Sequence, residues 1–184
     1  MYYVLYVGEG KENHAENFIR SFVPEQFYSN CFHVLRHMKK KLRGTWCDIY
    51  SRLAPGYIFV ESDQIESFST EALKTLLPLK VLGMEKDQEG KFFQPLSETE
   101  EAWLRMLVPE EDKGITCPTT ADKTSYIVEL SQVAFDENGQ AYIASGPLKN
   151  LQEQIKKINL HQRFAEVEMD FLGDKKSIYL GIEF

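Results

Sequence analysis

Two clusters of cations and one set of aromatic side chains have the types and spacing for recognition chemistry. Arg36, Lys39, Lys40, Lys41 and Arg43 put five positive charges within eight residues, with no acid among them. A hydrophobic period near two reads the segment as a strand. Lys39, Lys41 and Arg43 then share a face and could track a phosphate backbone without reading a base. Lysines on a solvated edge strand would equally guard it against aggregation. Lys149, Lys156, Lys157, His161 and Arg163 form the second cluster, with Lys175 and Lys176 close in sequence. Arginine there adds a bidentate fork suited to nucleic acid. Glu166, Glu168 and Asp170 lie on the adjacent strand and restrict an anionic ligand to one side. The aromatic set is Tyr2 and Tyr6 on one face of a first strand, and Tyr57 and Phe59, after Pro55, on one face of another. Rigid aromatics of this kind dominate protein interfaces, and they also fill sheet cores.

Other chemistries fit poorly. Cys31-x-His33-x-x-x-His37 would converge on a metal only from a helix; on a strand the two histidines stand roughly 13 Å apart. Gly8-x-Gly10 lacks the third glycine and the downstream acid of a dinucleotide site. Glu110, Glu111 and Asp112 sit in an aperiodic stretch where nothing would raise their pKa for acid–base work. No nucleophile–base pair is indicated. The expectation is a protein that is not an enzyme and needs neither metal nor cofactor.

Bulk properties set further bounds. The 184 residues carry a net charge of −7, so any contact with nucleic acid must come from a local basic patch. Three cysteines, scattered and without C-x-x-C, argue against a disulfide framework or zinc site and for a reducing cytoplasm. No apolar run reaches the length of a membrane span. The opening Tyr2 to Val7 reads as a strand, not a signal peptide.

The elements that must position these residues follow from periodicity. Ala15, Phe18, Ile19 and Phe22 predict a helix stopped by Pro24. Phe32 to Leu42 and Trp46 to Tyr50 predict strands joined at Gly44, and Tyr57 to Val60 a further strand. Ile65, Phe68, Leu73, Leu76 and Leu77 predict a second helix, ended by Pro78, with a short strand at 81–84 beyond it. Ser97-x-x-Glu100 reads as a capping box opening a helix that carries Ala102, Trp103, Met106 and Leu107. The polar stretch from Pro109 to about Thr120 reads as a linker reaching on the order of 20 Å. After it come Tyr126 to Val133, a turn at Asp136 to Gly139, Ala141 to Ala144, a turn at Ser145-Gly146-Pro147, and a strand holding Ile155 and Ile158. Ala165, Val167, Met169 and Phe171 alternate with polar neighbours, and Leu172-Gly173-Asp174 turns into Ser177 to Leu180. Such short strands describe a small barrel.

Two segments then carry a resemblance. Leu53-Ala54-Pro55-Gly56-Tyr57-Ile58-Phe59-Val60 resembles the F-P-G-Y segment of the NusG N-terminal (NGN) domain, with Ala54 where Phe is usual. Ser145-Gly146-Pro147-Leu148-Lys149 with Ile155 to Ile158 resembles a KOW barrel, although Asn150 and Glu153 replace glycines. Tyr2 to Val7 is similar to the family's first strand. Within the family, Gly146 to Lys149 and Asn159-x-His161-x-Arg163-x-Ala165 look most like the specialised antiterminators called LoaP, with Leu160 and Gln162 replacing basic residues.

The resemblance implies an α+β chain: an NGN-type antiparallel sheet with helices at 1–108, a linker at 109–122, and an all-β, SH3-like KOW barrel at 123–184. It implies a monomeric bacterial factor that binds RNA polymerase through Tyr6, Pro55, Tyr57 and Phe59. The hairpin cations Lys39, Lys41 and Arg43 would meet non-template DNA, and Lys149, Lys156, Lys157, His161 and Arg163 a nascent RNA hairpin. The alternative is a general NusG-type factor whose barrel binds a termination factor or ribosomal protein.

Overall fold

A computed structural model describes residues 1–76, 94–108 and 126–184 of the chain. The expected strand at 81–84, the helix stop at Pro78 and the expected linker at 109–122 lie outside those residues. The architecture is α+β. Its strands are β1 (Tyr2–Tyr6), β2 (Asn30–Phe32), β3 (Val34–Leu42), β4 (Thr45–Arg52), β5 (Tyr57–Glu61) and β6 (Gln94–Pro95), then β7 (Tyr126–Val128), β8 (Ser131–Phe135), β9 (Ala141–Ser145), β10 (Ile155–Asn159), β11 (Phe164–Phe171) and β12 (Asp174–Glu183). The α-helices are α1 (Glu12–Phe22), α2 (Ile65–Leu76) and α3 (Glu98–Leu107). Two compact units result, one of Met1–His33 with Ala54–Glu101, the other of Val34–Leu53 with Ala102–Phe184.

The first unit is built on an antiparallel sheet in the order β2-β5-β1-β6. Strand alternation sends Leu5, Ile58, Val60 and Cys31 to one face. There they form a core with Val7, with Ala15 and Ile19 of α1, and with Phe68 and Ala72 of α2. Removing these apolar side chains from water stabilises the unit by about 1.5–3 kcal/mol for each large one. The chain turns extended at Val23, as a residue before proline must, and its N–H still bonds the Ile19 carbonyl. Phe22, expected on the inner stripe of α1, is exposed instead and packs on Phe18 at 4.6 Å. The capping box forms as expected: the Ser97 N–H donates to Glu100 Oε2 at 2.8 Å, and the Glu100 N–H to Ser97 Oγ at 3.3 Å.

In α3 the buried positions are Glu100, Trp103, Leu104 and Leu107, a helical stripe. Ala102 and Met106 fall outside it and are exposed.

The second unit holds two sheets, β4-β3-β7 and β10-β11-β12-β8-β9. The β3–β4 hairpin turns through Arg43 and Gly44, both at positive φ (49° and 88°), the pairing that matches strand twist in a two-residue loop. The single strand expected at Tyr126 to Val133 is broken at Glu129-Leu130. Its first half runs parallel to β3 and its second half parallel to the end of β12. Along β11 the expected alternation holds, with Ala165, Val167, Met169 and Phe171 all buried. Where only a turn was expected, Pro147–Gln154 winds into 3-10 helix. Its Leu148 N–H donates to the buried Ser131 hydroxyl at 3.0 Å.

Candidate functional site

The aromatic set lies on the sheet face of the first unit opposite its helical core. In register, Tyr6 stands opposite Tyr57 and Val4 opposite Phe59, while Phe32 flanks Phe59 from the other side. Because β2 ends at Phe32, Phe59 has cross-strand neighbours on both sides and Tyr57 on one only. The consequence is unequal exposure. Phe59 is 0% exposed and stacks on Phe32 at 5.6 Å, with Tyr2 edge-on to Phe32 at 6.0 Å. Phe59, expected as a contact residue, is thus buried within this face beside Phe32. Tyr6 is 36% exposed, Tyr57 half-buried, and their rings lie 5.0 Å apart. Pro55 is exposed beside them.

The loop under this pair explains its motif. Gly56 sits at φ 84°, and a Cβ there would lie 2.6 Å from the Tyr6 ring. Only glycine lets the tyrosine lie on the backbone. The loop is tied down twice, by Val7 N–H donating to the Gly56 carbonyl at 2.7 Å and by Gly56 N–H donating to Glu12 Oε1 at 2.7 Å. Glu12 is wholly buried, and the sequence reading missed it.

Nearby, the histidine of the rejected metal motif has another use. His33 is buried with its Nδ1 2.5 Å from Glu16 Oε1, and Arg20 donates to the Cys31 carbonyl at 2.6 Å. Burial, with Glu16 adding to it, pushes the Cys31 thiol far up.

The hairpin cations divide. Along one face of the hairpin, register pairs His37 with Tyr50, Lys39 with Asp48 and Lys41 with Trp46. Lys39 Nζ is 2.6 Å from Asp48 Oδ1 and 3.8 Å from Glu183, and it is only 18% exposed. Lys39, a candidate phosphate contact, is thus already paired with acids in this structure. His37 bridges Asp48 and Glu129, each at 2.7 Å, and its ring stacks on Tyr50. Lys39 first, then His37, holds the Asp48 carboxyl below the usual range. Arg36 donates to Ser51 Oγ at 3.1 Å and to the Tyr179 carbonyl at 2.8 Å. Lys40, Lys41 and Arg43 remain exposed at the tip.

The second cationic cluster also splits. Lys149, Lys157 and His161 are exposed. Lys156 is exposed but pairs with Glu168 at 3.2 Å, and Lys175 with the same oxygen at 3.3 Å. Lys156 and then Lys175 hold that carboxyl below the usual range. Arg163 is not on an open rim. Its guanidinium carbon lies 4.4 Å from the Trp46 ring centre and 5.0 Å from that of Phe184. Neither aromatic figured among the sequence candidates, since the hairpin and the C-terminal strands lie far apart in the chain.

Comparison with solved structures finds similarity to NusG of Thermotoga maritima, from work on its domain interaction. The two are 13% identical over 98% of this chain and 92% of that chain, with a TM-score of 0.40. No protein-family model matches the chain, and no curated protein does.

Proposed function

We propose that this chain is a non-enzymatic, cytoplasmic and monomeric transcription elongation and antitermination factor of the NusG type, closest in character to LoaP. Residues 1–108 act as the RNA-polymerase-binding domain, 109–122 as a linker and 123–184 as a KOW barrel that takes nascent RNA at selected operons. The observation that carries the reading is the Tyr6–Tyr57 pair. Two aromatic rings, Tyr6 exposed and Tyr57 half-buried, stand at the end of an otherwise closed sheet face, beside a loop fastened by Glu12 and Gly56. Accessible tyrosines on a rigid support are what an interface hot spot needs, because little entropy is lost when a partner covers them. The segment that carries them is also the one that resembles the NusG N-terminal domain.

Tethering completes the mechanism. With one unit docked on polymerase, contact with emerging RNA becomes intramolecular, and a modest cationic surface suffices. That suits an acidic chain whose Lys156 shares Glu168 with Lys175. The same pairing supports a second reading, a general NusG-type factor whose barrel binds a termination factor or ribosomal protein. Co-purification of a protein with residues 123–184, and no RNA crosslink, would select it.

The test of the first reading is capture on purified bacterial RNA polymerase. Tyr57→Ala is expected to weaken capture by about 2 kcal/mol, with the unfolding midpoint little changed. A folded Tyr57→Ala chain that binds polymerase normally would remove the proposal.

A further inference from the structure

Arg163 holds an unusual position for a cation. Among the described residues no carboxylate lies within ion-pair distance of it, and its Nε is buried without a hydrogen-bond partner. Trp46 and Phe184 hold it by ring contact instead. Among the described residues, then, two rings hold its charge and no acid matches it. On the hairpin side, Lys41 Nζ lies 6.0 Å from the Trp46 ring centre, and Arg43 is exposed at the turn beyond. On the strand side, Phe184 is 52% exposed and Phe135, edge-on to it at 6.0 Å, 48% exposed. Hairpin tip and C-terminal strands thus contribute to one continuous surface within one compact unit.

We propose that Lys41, Trp46, Arg163, Phe184 and Phe135 form a single binding surface for single-stranded RNA. The inference deepens the RNA-binding reading given above and rests on it. Charge complementarity selects a polyanion, because Lys41 and Arg163 flank one ring, with Arg43 at the adjoining turn, on a chain that is acidic overall. Exposed rings interleaved with those cations select unpaired bases, which offer their faces for stacking, whereas a duplex hides them. The neighbouring acids bound the path of the strand. Asp48 and Glu183 are occupied by Lys39, while Asp136 and Glu137 are exposed after Phe135. The strand therefore runs from the Phe135–Phe184 rings over Arg163 toward the hairpin tip, away from that acidic turn. Two cation clusters distant in sequence, expected to serve DNA and RNA separately, act on one ligand.

The experiment uses the full chain and fluorescently labelled 12-nucleotide uridine RNA, read by anisotropy. A 12-base-pair RNA duplex and 12-nucleotide thymidine DNA serve as the other arms. The single-stranded RNA is expected to bind at least about tenfold more tightly than the duplex. Phe184→Ala, at an exposed position, is expected to weaken it about tenfold with an unchanged salt slope and an unfolding midpoint close to wild type. Lys41→Gln is expected to flatten the log–log salt slope by about 0.7. Duplex binding as tight as single-strand binding, or wild-type affinity in Phe184→Ala, overturns the surface. DNA binding equal to or tighter than RNA binding overturns the assignment to RNA. Polymerase capture, measured alongside, is expected to be unaffected by Phe184→Ala. A chain that binds the RNA but not polymerase supports this surface while removing the reading above.

Discussion

At the scale of single residues, the candidate polymerase-binding face depends on a side chain that never touches it. Glu12 is buried and accepts the Gly56 N–H, and so sets the loop on which Tyr6 rests. Glu12→Ala would leave a buried donor unpaired, costing about 1–3 kcal/mol. Urea unfolding should show that loss, and amide exchange at Gly56 should quicken. Unchanged exchange there would mean the bond does not hold the loop. Gly56→Ala attacks the same point from the other partner. Positive φ costs a β-carbon residue about 1–2 kcal/mol, and the clash with Tyr6 adds about 1–3 kcal/mol. Polymerase capture should fall with it, and a neutral Gly56→Ala would refute the packing of Tyr6 on the loop. None of this was readable beforehand. A glutamate at a helix start normally faces water, and nothing in its own neighbourhood reveals that a loop more than forty residues away needs an acceptor.

Elements were more legible than residues, for a definite reason. Strand and helix periods are local, and so are turn and capping chemistry, so β11, the Arg43-Gly44 hairpin and the start of α3 could be read directly. The Ser97–Glu100 box offers a clean check, because both of its bonds are made within four residues. Ser97→Ala should lower stability by about 1 kcal/mol in urea unfolding. A midpoint identical to wild type would show that α3 is held by its buried stripe alone. What periodicity could not show is where a strand changes partner. Tyr126 to Val133 is β-rich throughout, yet it splits at Glu129-Leu130 because its halves join different sheets in parallel pairs. Parallel pairing is long-range by nature and leaves no turn signal behind.

At the scale of the molecule, chain order and compactness disagree. The β3–β4 hairpin falls within the first 108 residues, yet it packs with the C-terminal strands. The reason lies in backbone approach. Gly181 of β12 faces the His37 carbonyl so closely that a Cβ could not be accommodated, and the Met38 Cα is 3.1 Å from the same point. Around that contact, Arg36 reaches the Tyr179 carbonyl and Lys39 reaches Glu183. Glycine in a strand interior is commonly a mark of such proximity, but sequence does not say what approaches.

This packing has an acid-sensitive component whose sign can be worked out. Asp48 accepts from Lys39 and His37 together, and its carboxyl is held below the usual range. A depressed folded-state pKa gives stability that is present above the unfolded value, about 3.9, and is lost as pH falls through the folded value. Glu168 on β11 behaves alike through Lys156 and Lys175, so the acid limb has at least two contributions. Asp48 is half exposed, which makes its share modest. Asp48→Asn should therefore lower stability at neutral pH and flatten, without abolishing, the fall in urea midpoint between about pH 5 and pH 2. Amide exchange in Val34–Leu42 should quicken in the same variant, since the β3 edge loses a restraint shared by β4 and Glu129. If Asp48→Asn and wild type lose stability in parallel as pH falls, Asp48 does not help to fasten the hairpin, and steric fit at Gly181 must hold it unaided.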